Sequence, residues 1–226
     1  MPRRSKFQYP AVSVDVVIFT LREDDLQVLL VQRRNPPFEK RWAIPGGFVE
    51  KDESLKVAAR RELAEETGVR DVYLEQLYTF GDPGRDPRGR VITVAYLALV
   101  PSPLCVEAGS DASDARWWSV YELPPRLAFD HDKILTYALQ RLRYKLEYTA
   151  AGFQLLPPTF TLTEIQQAYQ IVLGEPLDKR NFRRRILEAG ILEEVGLASQ
   201  GRGRPARLYR FRDDAVAETK ARRLFP

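Results

Sequence analysis

Apolar and polar positions alternate in two distinct rhythms along the chain, and the change of rhythm near residue 150 divides it. "VSVDVVIF" (12–19) and "LQVLLVQRR" (26–34) are β-branched runs around the polar segment "TLREDD", which predicts a hairpin. After a loop with "NPPF" and a short extended "WAIPGG", residues 54–67 lack Gly and Pro and are rich in Ala, Leu, Glu and Arg, so they predict a helix. Ser54 or Asp52 can cap its start and Gly68 can end it. "VYLEQLYTF" and "VITVAYLALV" read as strands joined by "GDPGRDPRGR", and "ARWWSV" as a short strand. Residues 131–148 form an amphipathic helix with apolar positions at 134, 135, 138, 139, 142 and 146. Strands interleaved with two helices predict a mixed-sheet α/β domain over 1–150.

Beyond a linker at 151–158 the pattern changes. Thr161 to Leu173 predicts a helix, with Thr161 and Glu164 spaced as a capping box. Gly174-Glu175-Pro176 breaks it, and Asp178 can cap a second helix that runs to about Ala189. "ILEEV" and "ARLYRF" flank the glycine-rich tip "QGRGRP", which predicts a β-hairpin. Helix, turn, helix and hairpin is the order of a small winged helix-turn-helix over 159–212, followed by a tail at 213–226.

Charge sharpens this division. Residues 151–226 hold 13 Lys/Arg against 9 Asp/Glu, while residues 1–150 hold 22 of each, so the whole excess of +4 lies in the last third. Within 179–212 it is 10 basic against 3 acidic residues, a distribution that either attracts polyanions or forms a solvated basic face. One cysteine, Cys105, excludes an internal disulfide, and its apolar surroundings point to packing. No apolar run reaches the roughly 18 residues that span a bilayer, and the first ten residues lack the apolar core of a secretory signal. The expected location is cytoplasmic, with no membrane partner.

The candidate chemistry lies in "GGFVEKDESLKVAARRELAEETGV". On a helix Glu62, Glu65 and Glu66 stand at i, i+3 and i+4, so three carboxylates share one face. Their repulsion calls for a cation, and hard divalent ions such as Mg²⁺ or Mn²⁺ prefer carboxylate oxygens and leave positions open for phosphate. Arg61 can pair with Glu53 and tie the preceding loop to the helix.

The same segment resembles the Nudix box, with all nine fixed positions present between Gly47 and Val69, and the resemblance extends over nearly all of residues 8–148. It implies a Nudix α/β/α sandwich that cleaves a nucleoside diphosphate linked to another group. It further implies that Glu62, Glu65 and Glu66 ligate metal with the Gly47 carbonyl, and that Glu53 and Arg61 are the orienting pair. Some Nudix subfamilies take their catalytic base from a later loop; here "EAGSDASDARWW" offers Glu107, Asp111 and Asp114, of which Asp111 is the candidate. "GDPGRDPRGRVITVAYLAL" and "LAFDHDKIL" resemble ADP-ribose-binding Nudix proteins. The candidate ligand contacts are therefore Arg34, Asp82, Arg85 and Arg88, with Arg90 on the same loop. His131 reads as a helix-start residue, and the tryptophans as packing residues, although Trp42 beside "PGG" could stack a base.

In "DKRNFRRRILEAG", Phe182, Ile186 and Ala189 share a core-facing side. Arg180 and Arg184 lie opposite, with Asn181 and Arg183 on the flanks, residue types that read guanine and adenine edges. Arg202 and Arg204 at the hairpin tip are placed to enter a minor groove. The order of parts resembles the Nudix-related transcriptional regulators of NAD metabolism, the NrtR family, over about residues 8–212. That resemblance implies a dimeric repressor that binds a double-stranded operator and senses ADP-ribose. Many such regulators carry degraded boxes, whereas this box is complete. The alternatives are a Mg²⁺-dependent ADP-ribose pyrophosphatase yielding AMP and ribose 5-phosphate, and a Nudix hydrolase whose basic domain serves RNA or a protein.

Overall fold

The computed structural model describes residues 9–68, 70, 72–101, 112–148, 154–198 and 205–212, with the side chains of 66, 67, 112, 147 and 148 excepted. Cys105, Glu107, Asp111, Arg202 and Arg204 lie outside the described residues. The chain divides into two compact units, one of residues 1–18, 28–98 and 105–138, the other of 19–27, 99–104 and 139–226.

The predicted hairpin is present and tighter than the polar segment suggests. Strands β1 (Ala11–Arg22) and β2 (Asp25–Arg33) leave only Glu23 and Asp24 between them. Both residues take positive φ, 54° and 59°, which is the backbone twist that two-residue hairpins favour. Two short strands follow, β3 (Trp42–Ala43) and β4 (Gly46–Phe48). Helix α1 (Leu55–Thr67) then leads to β5 (Tyr73–Phe80), β6 (Val91–Val100), β7 (Ala112–Ser119) and helix α2 (His131–Tyr148). The sheet runs β3-β2-β1-β6-β5, with β4 paired to β1 and β7 paired to β2. Buried Val16, Val17, Ile18, Leu29, Leu30 and Leu97 supply its core, as the unbroken apolar runs require.

Two local features place the functional groups of this unit. Strand β4 lies antiparallel to β1 with Val14 opposite Gly47 and Asp15 opposite Gly46. A Cβ on Gly46 would meet the Val14 carbonyl at 2.2 Å, so only glycine permits this approach. Helix α1 starts at Ser54, whose hydroxyl accepts from the Val57 N–H, and ends at Gly68 in the left-handed conformation. Ala58, Ala59 and Leu63 are buried and set which face of α1 turns outward.

Beyond α2 come β8 (Phe160–Thr161), α3 (Leu162–Leu173), α4 (Lys179–Glu188), β9 (Leu192–Ala198) and β10 (Ala206–Phe211). The capping box at Thr161 and Glu164 is complete in both directions. The turn between α3 and α4 is fastened by two glutamines: Gln166 Nε2 donates to the Leu177 carbonyl, and Gln170 Oε1 accepts from the Leu177 N–H. Ile165, Tyr169, Val172, Phe182 and Ile186 are buried between the helices, with the Tyr169 and Phe182 rings edge to face at 5.4 Å. β8 adds a strand that the sequence pattern leaves out, giving the order β8-β10-β9. Among the described residues no helix is long and apolar enough to cross a membrane.

Candidate functional site

The Nudix-box segment folds as its spacing predicts. Arg61 is the hub: its Nη2 and Nε donate to the Glu53 carboxylate at 2.6 and 3.1 Å, and its Nη2 also donates to the Phe48 carbonyl. Nη1 of the same guanidinium donates to Glu62 at 2.7 Å and to Glu65 at 3.2 Å. The Arg61 hydrogen bonds, helped by the Glu50 N–H, hold the Glu53 carboxyl below its ordinary pKa. Burial pushes Glu62 the other way, to a raised pKa, against the pull of Arg61. Gly47 lies hard against Glu62, and a Cβ there would come within 2.3 Å of Oε1.

Glu62 and Glu65 thus converge on one positive group beside a backbone that has no side chain in the way. That donor chemistry fits a hard divalent cation. Glu66 follows on α1, its side chain outside the described residues; among the described residues no cluster of three or more acidic, His or Cys side chains is disposed around a single point.

Arg61, Glu62 and Glu65 form one wall of a cleft of about 400 Å³. Its floor contains groups that lie far apart in sequence. Arg85 is only 4 % exposed and donates to both oxygens of Asp130, at 2.7 and 3.1 Å, with Asp15 at 3.6 Å. His131, the first residue of α2, is buried beside them, and its Nδ1 accepts from the Ile44 N–H at 2.9 Å. The ring is therefore the neutral Nε2–H tautomer, with Nε2 facing Asp15 Oδ1 at 3.6 Å. Burial is the main cause of its lowered pKa; Arg85 acts in the same sense and Asp15 against it.

The opposite wall is aromatic and cationic. Arg88 chelates Asp86 through Nε and Nη2 at distances down to 2.6 Å. Burial opposes the charge on Asp86, but the Arg88 side chain and N–H outweigh it and hold the carboxyl below its usual range. The Arg88 guanidinium lies 5.0 Å from the Phe48 ring centre and 5.5 Å from that of Phe129, and the Arg33 guanidinium lies 5.0 Å from the Phe129 ring centre. Phe129 has φ of 55°, an unfavourable region for a bulky residue, and is braced by Phe38 and His131.

Of the ligand candidates, Arg85 and Arg88 line the cleft, and Arg34 and Asp82 do not. Arg33 closes β2 and faces the cleft, whereas Arg34 follows the strand and is exposed. Asp82 is exposed and pairs with Lys133 at 3.3 Å. Arg90 donates to the Gly81 carbonyl and closes its loop. Trp42 meets Trp118 edge to face at 5.3 Å, a packing contact. Asp114, expected on a loop, lies on β7 and pairs with Arg116. Sequence reasoning missed Asp15, Asp86, Phe129 and Arg33; the one signal was Asp15, the lone charge inside an apolar strand.

The second candidate surface is α4. Asp178 caps it, Oδ1 accepting from the Asn181 N–H. Phe182 and Ile186 are buried, which turns Arg180 and Arg184 outward with Asn181 half-buried beside them. Arg184 donates to Asn181 Oδ1 at 2.9 Å and reaches Glu188. Arg183 instead donates to Thr163 Oγ1 at 3.0 Å, tying α4 to the start of α3. On the wing, Arg207 pairs with Glu194 and Arg210 with Glu193 across the strands.

Both parts of the chain resemble known proteins. Residues 11–138 match the NUDIX domain, and residues 152–211 match the NrtR DNA-binding winged helix domain. The chain belongs to the Nudix family, in its form with an NrtR winged helix. It is 42 % identical over 212 residues to the ADPR responsive transcriptional repressor NtrR of Acinetobacter baylyi, covering 92 % of this chain and 85 % of that one. The Shewanella oneidensis NrtR structure in complex with a 27mer DNA is 41 % identical, with TM-score 0.79, over 91 % of this chain and 95 % of that one. The NUDIX domain of the same Shewanella protein, solved with ADP ribose, is 42 % identical, with TM-score 0.56, over 62 % of this chain and 94 % of that one. The expected α/β Nudix sheet followed by a winged helix is thereby borne out.

Proposed function

We propose that this protein is a transcriptional repressor that binds double-stranded operator DNA through α4 and the β9–β10 wing, and is released when ADP-ribose or a related nucleotide fills the Nudix cleft. The observation that carries this reading is that the likeness to an ADPR responsive repressor and to a DNA-bound structure runs through both parts of the chain. The cleft suits such a ligand: its volume is that of a nucleotide-sized site, and Arg88 with Phe48 and Phe129 presents charge and aromatic faces together. On the DNA side, Arg180, Asn181 and Arg184 meet the groove, and Arg202 and Arg204, outside the described residues, are the candidates for a minor-groove contact. The protein acts as a homodimer, because one winged module reads a single half-site and a palindromic operator needs two. The 27mer bound by the Shewanella relative is long enough for two half-sites a helical turn apart.

The complete box supports a second activity, hydrolysis of ADP-ribose to AMP and ribose 5-phosphate. Nudix hydrolases work with divalent metal ions. Glu62, Glu65 and Glu66 with the Gly47 carbonyl would hold Mg²⁺ or Mn²⁺, which supplies neutralisation of pyrophosphate oxygens and a more acidic bound water. Arg61 and Glu53 keep Glu62 and Glu65 in place, and Asp111 is the candidate base.

The deciding experiment is a gel shift on the DNA upstream of the protein's own gene, with and without ADP-ribose, in Mg²⁺ and in EDTA. The complex is expected to form and to dissociate with ADP-ribose in both buffers, since sensing requires the ligand and operator to be reciprocally coupled. Tight ADP-ribose binding with unchanged operator affinity would remove the sensing mechanism. Assayed in parallel for AMP release in Mg²⁺, wild type is expected to turn over and Glu65→Gln to be inactive.

A further inference from the structure

The floor of the cleft holds one carboxylate that its neighbours do not satisfy. Asp15 projects from β1 with its side chain 10 % exposed, and no hydrogen bond to its carboxylate forms among the described residues. Its oxygens are flanked at longer range: Oδ1 faces His131 Nε2 and Oδ2 faces Arg85 Nη2, each at 3.6 Å. Both flanking groups are donors. Nδ1 of His131 accepts from the Ile44 N–H, which leaves the proton on Nε2. Nη2 of Arg85 spends one N–H on Asp130 Oδ1 at 2.7 Å and keeps the other. Gly46 lies opposite Asp15 on β4, so no side chain covers Oδ1 from that strand.

Charge and geometry together say what belongs there. Asp130 already chelates the Arg85 guanidinium through both its oxygens, and His131 is neutral. Two carboxylates against one guanidinium leave the floor negative, so a phosphate set against Asp15 would be repelled. A buried carboxylate without hydrogen bonds is costly, and the occupant that relieves it is a neutral donor. The spacing narrows this further. Each Asp15 oxygen and its flanking N–H form a bracket of acceptor and donor, held beyond the roughly 3.2 Å at which they would bond each other. A hydroxyl placed in such a bracket satisfies both sides, donating to the oxygen and accepting from the N–H. The two brackets share one carboxylate and so stand side by side, as hydroxyls on neighbouring carbons do. Adenine, with one donor group beside one acceptor on its edge, would fill only one of them. The aromatic faces suited to a base, Phe48 and Phe129, lie on the opposite wall.

We infer that Asp15, flanked by His131 and Arg85, selects a free vicinal diol, the paired hydroxyls of one ribose of the ligand. This rests on the reading that the cleft takes ADP-ribose or a related nucleotide. Asp15 is then a specificity residue. A ribose lacking one hydroxyl leaves an oxygen of Asp15 bare, and a ribose phosphorylated there sets anion against anion.

The test is calorimetric titration of the full chain in EDTA, where no turnover consumes the ligand. The ligands are ADP-ribose and two analogues, one built on 2′-deoxyadenosine and one ending in 2-deoxyribose. Wild type is expected to bind one analogue roughly ten- to a hundredfold more weakly than ADP-ribose, the worth of a hydrogen bond to a charged group, and the other equally well. Asp15→Asn keeps the side-chain size but replaces one acceptor by a donor. It is expected to bind ADP-ribose more weakly by a similar factor and to discriminate no longer between ADP-ribose and that analogue. Circular dichroism checks that the variant is folded, and the wild-type arm needs no variant. Equal affinity of wild type for all three ligands overturns the inference. So does a loss in Asp15→Asn that is the same for every ligand, the mark of a merely structural role. A wild type that binds none of the three overturns the ligand reading itself, an outcome distinct from equal binding.

Discussion

In the cleft, Arg61, Arg85 and Arg88 are each fastened to a carboxylate, respectively Glu53, Asp130 and Asp86. On α4, Arg180 and Arg184 face solvent, and the acid that meets Arg184 does so at 3.4 Å on an exposed surface. The two regions use one residue type for different physical ends. A chelated guanidinium, desolvated as well in Arg85, has a fixed position and shapes a cavity for one ligand geometry. A solvated one keeps its counterions until a polyanion displaces them, which gives affinity that tolerates many sequences and depends on salt.

The largest break of this comparison is the same substitution made once in each region. Arg85→Ala leaves Asp130 and Asp15 buried without their cation, and removing one partner of a buried pair costs about 3–5 kcal/mol. Arg184→Ala removes an exposed side chain, for which a change within about 0.5 kcal/mol is expected. Urea unfolding of the two variants checks this, and equal losses would mean that the cleft network does not hold the fold. Arg85→Ala is also expected to lose ADP-ribose binding, followed by calorimetry.

The same contrast explains what could be read from the chain. The box was legible because its parts are local: Ser54, Glu62, Glu65 and Gly68 lie on or beside one helix, where a period of 3.6 fixes who shares a face. The caps at Thr161 and Asp178 were legible for the same reason. The cleft floor was not, because Asp15, Arg85, Asp130 and His131 come from β1, the loop after β5 and the start of α2, and only strand pairing brings them together. His131 was rightly read as a helix start, yet nothing in its neighbours announced burial beside Asp15. Arg33 and Arg34 differ by a single step at a strand end, too fine for pattern reading to choose between them. β8 is two residues long and leaves no periodic signal.

A second expectation separates the regions by pH. The chain has one histidine, and it lies in the cleft. Burial, aided by Arg85 and Arg33, lowers the His131 pKa below its ordinary value of 6.5, while Asp15 and Asp130 oppose the shift. The unfolded chain therefore takes up this proton first as pH falls. The stability contributed by the neutral ring is complete above about pH 6.5 and is lost as pH drops towards the lowered folded value, with a slope of at most about 1.4 kcal/mol per pH unit. Thermal unfolding between pH 7.5 and 5.5 is expected to show this loss in wild type and a flatter profile in His131→Gln. Parallel profiles would place the acid sensitivity in the carboxylates instead.

The smallest effect tests the other side of the comparison. Arg180 is exposed at the first turn of α4, where a helix entering a groove meets the phosphates. Arg180→Ala is expected to lower the slope of log K against log salt by about 0.9, the value of one phosphate contact. Between 50 and 200 mM salt that amounts to roughly a three- to fourfold difference in how steeply operator affinity falls. ADP-ribose binding should not change in this variant, because its cations in the cleft are held by Asp86 and Asp130 whatever α4 carries. An unchanged slope would mean that Arg180 keeps its counterions in the complex, leaving the phosphate contacts to other basic residues of the winged helix.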